Sequence, residues 1–136
     1  MTGDEIRVEG RRRDVGAPPA AASVSVQTLN WDEFPWALVS FVGEIDLGTA
    51  PALGATVLGH TTEVLAVVLD LSAVTFLDSA AVRLLDDLVG AYEGRGSAIR
   101  VVAPEHGVAR FTLTLCAFRT DLVEPTVDRA RAALLS

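Results

Sequence analysis

Asp78 and Ser79 bring a carboxylate and a hydroxyl to the point where a buried strand gives way to a helix, in the run V-T-F-L-D-S-A-A-V over residues 74–82. The first amides of a helix lack intrahelical partners and carry the positive end of its dipole, so a hydroxyl placed there could hold a phosphate. Both residue types are also ordinary helix caps, worth about 1 kcal/mol whatever the function. The residue that follows is Ala80, which has no hydroxyl to modify.

Other residues that could do chemistry point to none. Ser79 with His60 or His106 and a carboxylate would make a hydrolase triad, but the G-x-S-x-G strand-turn-helix signature is missing. The two histidines lack companion ligands at metal-binding spacing, which leaves surface or helix-end roles. Gly43, Gly48 and Gly54 lack the spacing of a phosphate loop, while Gly90, Gly94 and Gly96 punctuate a helix end. No catalytic residue, metal or cofactor is expected. Asp70, at the end of a strand, is expected to accept from backbone amides of the following loop. Cys116 is expected to be a small buried residue at a helix end.

Charge and composition narrow the partners. Across 136 residues the net charge is -7, which argues against phosphate-backbone binding as the main activity. All eleven cationic residues are arginines, and the dense group Arg11-Arg12-Arg13 lies in a polar stretch that continues into Ala17-Pro18-Pro19-Ala20. Residues 1–22 are therefore read as a disordered tail, with one domain over 23–136. A single cysteine, no secretion-type N-terminus and no apolar run of about 20 residues lead to an expected cytoplasmic protein that does not insert into membranes.

The elements that must position Asp78 follow from periodicity. Residues 23–29 alternate, with Val24 and Val26 on one face, and residues 36–45 read as a second strand, joined to the first by a turn at 30–35. Thr49 and Pro51 suit the start of a helix carrying Leu53, Val57 and Thr61 at helical spacing. The β-branched run 65–71 reads as a central strand. The helix that starts at Asp78 or Ser79 carries an apolar stripe of Ala81, Val82, Leu85, Leu88, Val89 and Tyr92 and ends at 94–96. A strand at 99–103, a helix at 108–115, a short strand at 121–124 and a helix capped by Thr126 complete the order. Residues 111–115 also alternate like a strand. The fold class is α/β, a four- to five-stranded mixed sheet with an opening β-hairpin and about four flanking helices.

The segment D-L-S-A-V-T-F-L-D-S at 70–79, with G-E-I-D-L at 43–47 and T-A-P-A-L at 49–53, resembles the STAS domain of bacterial anti-sigma factor antagonists. The resemblance covers residues 23–135 in element order. It implies a STAS-like fold and a protein partner: an anti-sigma factor that is also a serine kinase, whose capture releases a sigma factor for transcription. It further implies a partner-binding surface of Gly43, Glu44, Asp46, Asp78, Ser79, Ala80, Ala81 and Arg83.

In that family the motif runs Asp-Ser-Ser/Thr-Gly and the kinase modifies the residue after Asp-Ser. That residue here is Ala80, followed by Ala81 in place of Gly. The preferred expectation is an antagonist that phosphorylation at the usual position does not switch. The alternative moves the phosphorylated hydroxyl to Ser79, a step of about 100° around the helix. A cytoplasmic STAS subunit of a membrane transport complex and a stress-signalling scaffold are the competing readings, and a homodimer is compatible with each.

Overall fold

Strand β4 (Ala66–Leu77) is the axis of the molecule, since its first half is buried at the centre of the sheet and its end delivers Asp78. The computed structural model describes residues 4–11 and 21–135. Its six strands lie in the order β1 (Asp4–Arg11), β2 (Ala21–Trp31), β3 (Phe34–Ile45), β4, β5 (Ala98–Val102) and β6 (Val123–Glu124). The pairs β1/β2 and β2/β3 are antiparallel, and β3/β4, β4/β5 and β5/β6 are parallel. Parallel neighbours need crossovers, which α1 (Ala50–Gly59), α2 (Ser79–Gly94) and α3 (Val108–Leu115) supply, and α4 (Val127–Leu135) follows β6.

Period-two alternation divides the strands between two cores. Val24, Val26, Val39, Phe41, Val67, Leu69, Ile99 and Val101 meet α1, α2 and α3 on one face. Leu29, Trp36, Ala66, Val68 and Val102 meet α4 on the other. The buried residues of α2 are Ala81, Val82, Leu85, Leu88, Val89 and Tyr92, the stripe expected from the sequence.

The fold is the expected α/β mixed sheet with four helices, and several details differ. Residues 4–11, assigned to an unstructured tail, pair with β2 from Asp4↔Thr28 to Arg11↔Ala21 and add a sixth strand at the edge. Arg12 and Arg13 of the basic cluster lie outside the described residues. The turn between β2 and β3 is tighter than expected: Asp32 and Glu33 both take positive φ (52° and 69°), the backbone of a two-residue primed hairpin. Residues 108–115 are a helix, because Ala109 and Leu113 are buried four residues apart, whereas Phe111 and Leu115 face out. Cys116, expected to be buried, ends that helix exposed to solvent.

The site depends most on the length of β4. It runs six residues past the expected end at Leu71, following β3 while β5 pairs only as far as Asp70. Two register irregularities accompany this extension, between Ser40 and Val42 and between Gly43 and Glu44. Gly43 has φ 93°, a conformation that a side chain would strain, so glycine is the residue type this bend favours. Asp70 accepts from the Ser72 amide (2.9 Å) and hydroxyl (2.6 Å), but both residues lie inside β4 and not at the strand end and following loop expected for them.

Candidate functional site

The ends of β3 and β4 lie side by side, with Ile45 opposite Leu77, so the loops that leave them are neighbours. Asp78 joins them. Its extended backbone makes it the N-cap of α2, and its Oδ1 accepts from the Ala81 amide at 2.9 Å. Its Oδ2 accepts from the Leu47 amide at 3.3 Å, across the gap to the β3–α1 loop. One carboxylate thus fixes both the first turn of α2 and the loop beside it.

The loop is also held from within. Asp46 is 4% exposed, and its Oδ1 accepts from the amides of Gly48 (2.9 Å) and Thr49 (3.2 Å). The Thr49 hydroxyl accepts from the Asp46 amide at 3.0 Å and donates toward the Glu44 carbonyl at 3.2 Å. Thr49 occupies the N-cap position of α1, but its side chain stitches the loop and caps no helix amide.

Between α1 and α2 this arrangement leaves a groove of about 430 Å³. Leu47, Ala50, Pro51, Ala80 and Leu84 supply its apolar lining, and Ser79, Arg83 and Asp87 its polar rim. Leu47 is 73% exposed, an unusual position for a leucine in a loop held so firmly. The two helices approach closely at Gly54, where an added Cβ would run into Leu84 Cδ1. At their far ends the Tyr92 and Thr61 hydroxyls are 2.6 Å apart, and Thr61 also donates to the Val57 carbonyl at 2.7 Å. Burial pushes the Tyr92 phenol above its ordinary pKa, partly offset by the Thr61 bond and nearby Arg95.

The structure sorts the eight expected contact residues. Ser79 is exposed, Ala80 half-buried and Arg83 exposed, and all three border the groove beside Asp78. Asp46 and Ala81 were expected to touch a partner, but both are buried, at 4% and 0% exposure. Asp46 faces the loop's own amides, and Ala81 lies on the inner stripe of α2, so the two shape the surface from beneath. Gly43 and Glu44 are half-buried at the β3 bulge.

Ala50, Pro51, Leu84 and Asp87 were not anticipated. Leu84 and Asp87 follow Ala80 and Arg83 at i+4 on one face of α2, a signal the sequence does carry. Ala50 and Pro51 come from a separate helix and have no such signal. His60 caps the far end of α1, about 15 Å along the helix from Ala50. Among the described residues no group of three or more His, Cys, Asp and Glu could hold a metal ion, and no helix is long and apolar enough to cross a membrane.

A mixed sheet that opens antiparallel, continues parallel, and sets a loop against the start of its second crossover helix defines an α/β domain. The STAS domain family model matches residues 31–130, and the chain belongs to that family. Among solved structures it is similar to an anti-sigma factor antagonist from Mycobacterium paratuberculosis, with 31% identity, a TM-score of 0.66, and coverage of 83% of this chain and 95% of that one.

Two more distant likenesses show the fold alone. An uncharacterized protein with a SpoIIAA-like fold from Shewanella loihica has 8% identity and a TM-score of 0.55, covering 82% of this chain and 93% of that one. The murine Solute Carrier 26 anion transporter Slc26a9 has 18% identity and a TM-score of 0.62, covering 74% of this chain and 18% of that one. No curated protein matches the chain.

Proposed function

We propose that this protein is an anti-sigma factor antagonist that acts in the cytoplasm by binding an anti-sigma factor of the serine-kinase type, so that a sigma factor is released for transcription. The observation that carries the reading is the Asp78 carboxylate, which locks the Leu47 loop to the first turn of α2 and makes one surface of two segments distant in sequence. The likeness to an anti-sigma factor antagonist over most of both chains supports it. A surface fixed before contact loses little conformational entropy on binding, which suits recognition of a folded partner.

On this reading the protein is not an enzyme and makes no covalent bond. Alanine at position 80 offers no oxygen to a kinase, so the interface is not switched there. Ser79, the hydroxyl one position earlier, is exposed and follows Asp78 directly in the chain. A phosphate there would add about -1.5 to -2 charges next to that anion. The test is to incubate the protein with the serine-kinase anti-sigma factors of its own genome and ATP. A complex is expected with one of them; the absence of a complex with every one overturns the reading.

A further inference from the structure

The rim of the α1/α2 groove holds an arginine that the protein itself does not use. Among the described residues Arg83 takes part in no hydrogen bond or ion pair, although Asp87 lies one turn further along the same helix face. The order explains this, since an acid placed four residues before a base pairs better along a helix than the reverse arrangement found here. By contrast, Arg110 is tied to the Ala103 carbonyl and Arg119 to Glu93 and Asp121. Arg83 is the single cation among the residues that line the groove.

Next to that charge the lining is apolar and open. Ala80 contributes only a methyl group at the second position of α2, and the groove between it, Leu47 and Leu84 has room for a large side chain. In a chain of net charge -7, a free cation at the edge of an apolar slot is a specific feature, because the chain as a whole carries an excess of acidic residues. Asp87 limits the count: a run of acidic residues would meet its carboxylate, whereas one carboxylate at Arg83 would not.

We infer, resting on the function proposed above, that this groove takes from the anti-sigma partner one large apolar side chain flanked by a single carboxylate. The apolar group enters between Leu47, Ala80 and Leu84, and the carboxylate pairs with Arg83. Alanine at position 80 then has a role of its own, since it keeps the slot open and apolar at a position where a hydroxyl would make it polar. Arg83 acts as the charge filter. Being exposed, it contributes chiefly to the rate of association, while the buried apolar group governs dissociation.

The test measures association and dissociation rates of the full-length chain with a recombinant serine-kinase anti-sigma factor from the same genome, at low and at high salt. Arg83→Glu is expected to weaken binding about tenfold, mainly through slower association, and to reverse the effect of salt on that rate. Arg83→Lys keeps most of the affinity. Ala80→Leu fills the slot and is expected to weaken binding about tenfold or more through faster dissociation. Leu47→Ser, at an exposed loop position, provides the same readout should Ala80→Leu fail to fold. Phe111→Ala, on the exposed face of α3, is expected to bind as the wild type does.

If the wild type binds while both groove substitutions leave the rates unchanged, the groove inference fails and the proposed function stands. A loss confined to one of the two overturns the paired recognition, and a comparable loss in Phe111→Ala moves the contact to α3 and overturns the inference as well. If the wild type binds none of the candidate anti-sigma factors, the proposed function falls and takes this inference with it.

Discussion

The Asp78 carboxylate accepts the Leu47 amide at 3.3 Å across 31 residues of sequence, while its other oxygen caps the helix it begins. A capping residue ordinarily serves one helix end. Here it also sets the distance between two surface segments, so the helix cap and the loop–helix junction share a single side chain. Asp78→Ala removes both bonds and is expected to cost about 1–2 kcal/mol in urea denaturation. Asp78→Asn keeps one accepting oxygen and should cost about half as much. A loss within error for Asp78→Ala would show that the loop and helix are held by other contacts.

Restoring a hydroxyl at position 80 tests why the chain has alanine there. Ala80→Ser, incubated with the cognate kinase and ATP, is expected to gain one phosphate by intact mass, whereas the wild type gains none. A gain of equal size in the wild type, mapped to Ser79, would place the modification one residue earlier than the account allows.

The hydroxyl pair Thr61/Tyr92 closes the far end of the α1/α2 layer, 2.6 Å apart and fully buried. Tyr92→Phe removes one buried bond, leaves Thr61 its bond to the Val57 carbonyl, and creates almost no cavity. The expected cost is about 1 kcal/mol by thermal or urea unfolding. A cost above about 3 kcal/mol would mean that the pair belongs to a larger network.

Asp32 and Glu33 occupy a left-handed backbone that glycine and asparagine adopt more readily. Replacing the pair with Asn-Gly is expected to stabilise the protein by about 1 kcal/mol. Unchanged or lower stability would contradict a primed two-residue hairpin at this position.

How much of this was legible in the sequence depended on whether the signal was local. The α2 stripe could be read residue by residue because an amphipathic helix repeats its pattern over four turns and one partner surface suffices to bury it. Helix α3 is two turns long, and its outward Phe111 and Leu115 mimic strand alternation, so only packing settles it. Strand β1 carries Ile6 and Val8 among charged residues, too short a pattern to stand out before β2 is present to pair with it. At the site, Asp78, Ser79 and Arg83 could be found because they fall within six consecutive residues at the start of α2. The groove could not, since its other wall is α1. Asp46 was misjudged because one carboxylate looks the same in sequence whether it faces solvent or the amides of its own loop.

The exposed Arg119 cluster gives a pH signature. The Arg119 guanidinium holds the Asp121 carboxyl below its ordinary value of 3.8, through hydrogen bonds first and charge second. A depressed carboxylate contributes stability above its unfolded pKa and loses it as pH falls through the folded one, so the effect appears only below about pH 4. Both groups are solvated, and the contribution is small and sensitive to salt. Arg119→Gln is expected to raise the Asp121 titration midpoint observed by carboxyl NMR; an unchanged midpoint would show that the ion pair does not persist in solution.

The most direct measurement on the proposed function is an intact-mass profile of the species eluted after the 136-residue chain is mixed with a candidate serine-kinase anti-sigma factor, its sigma factor and ATP. The expected result is a complex of this chain with the anti-sigma factor, in which this chain keeps its unmodified mass while the sigma factor elutes free. A sigma factor that stays bound to the anti-sigma factor, with the antagonist eluting alone, would contradict it.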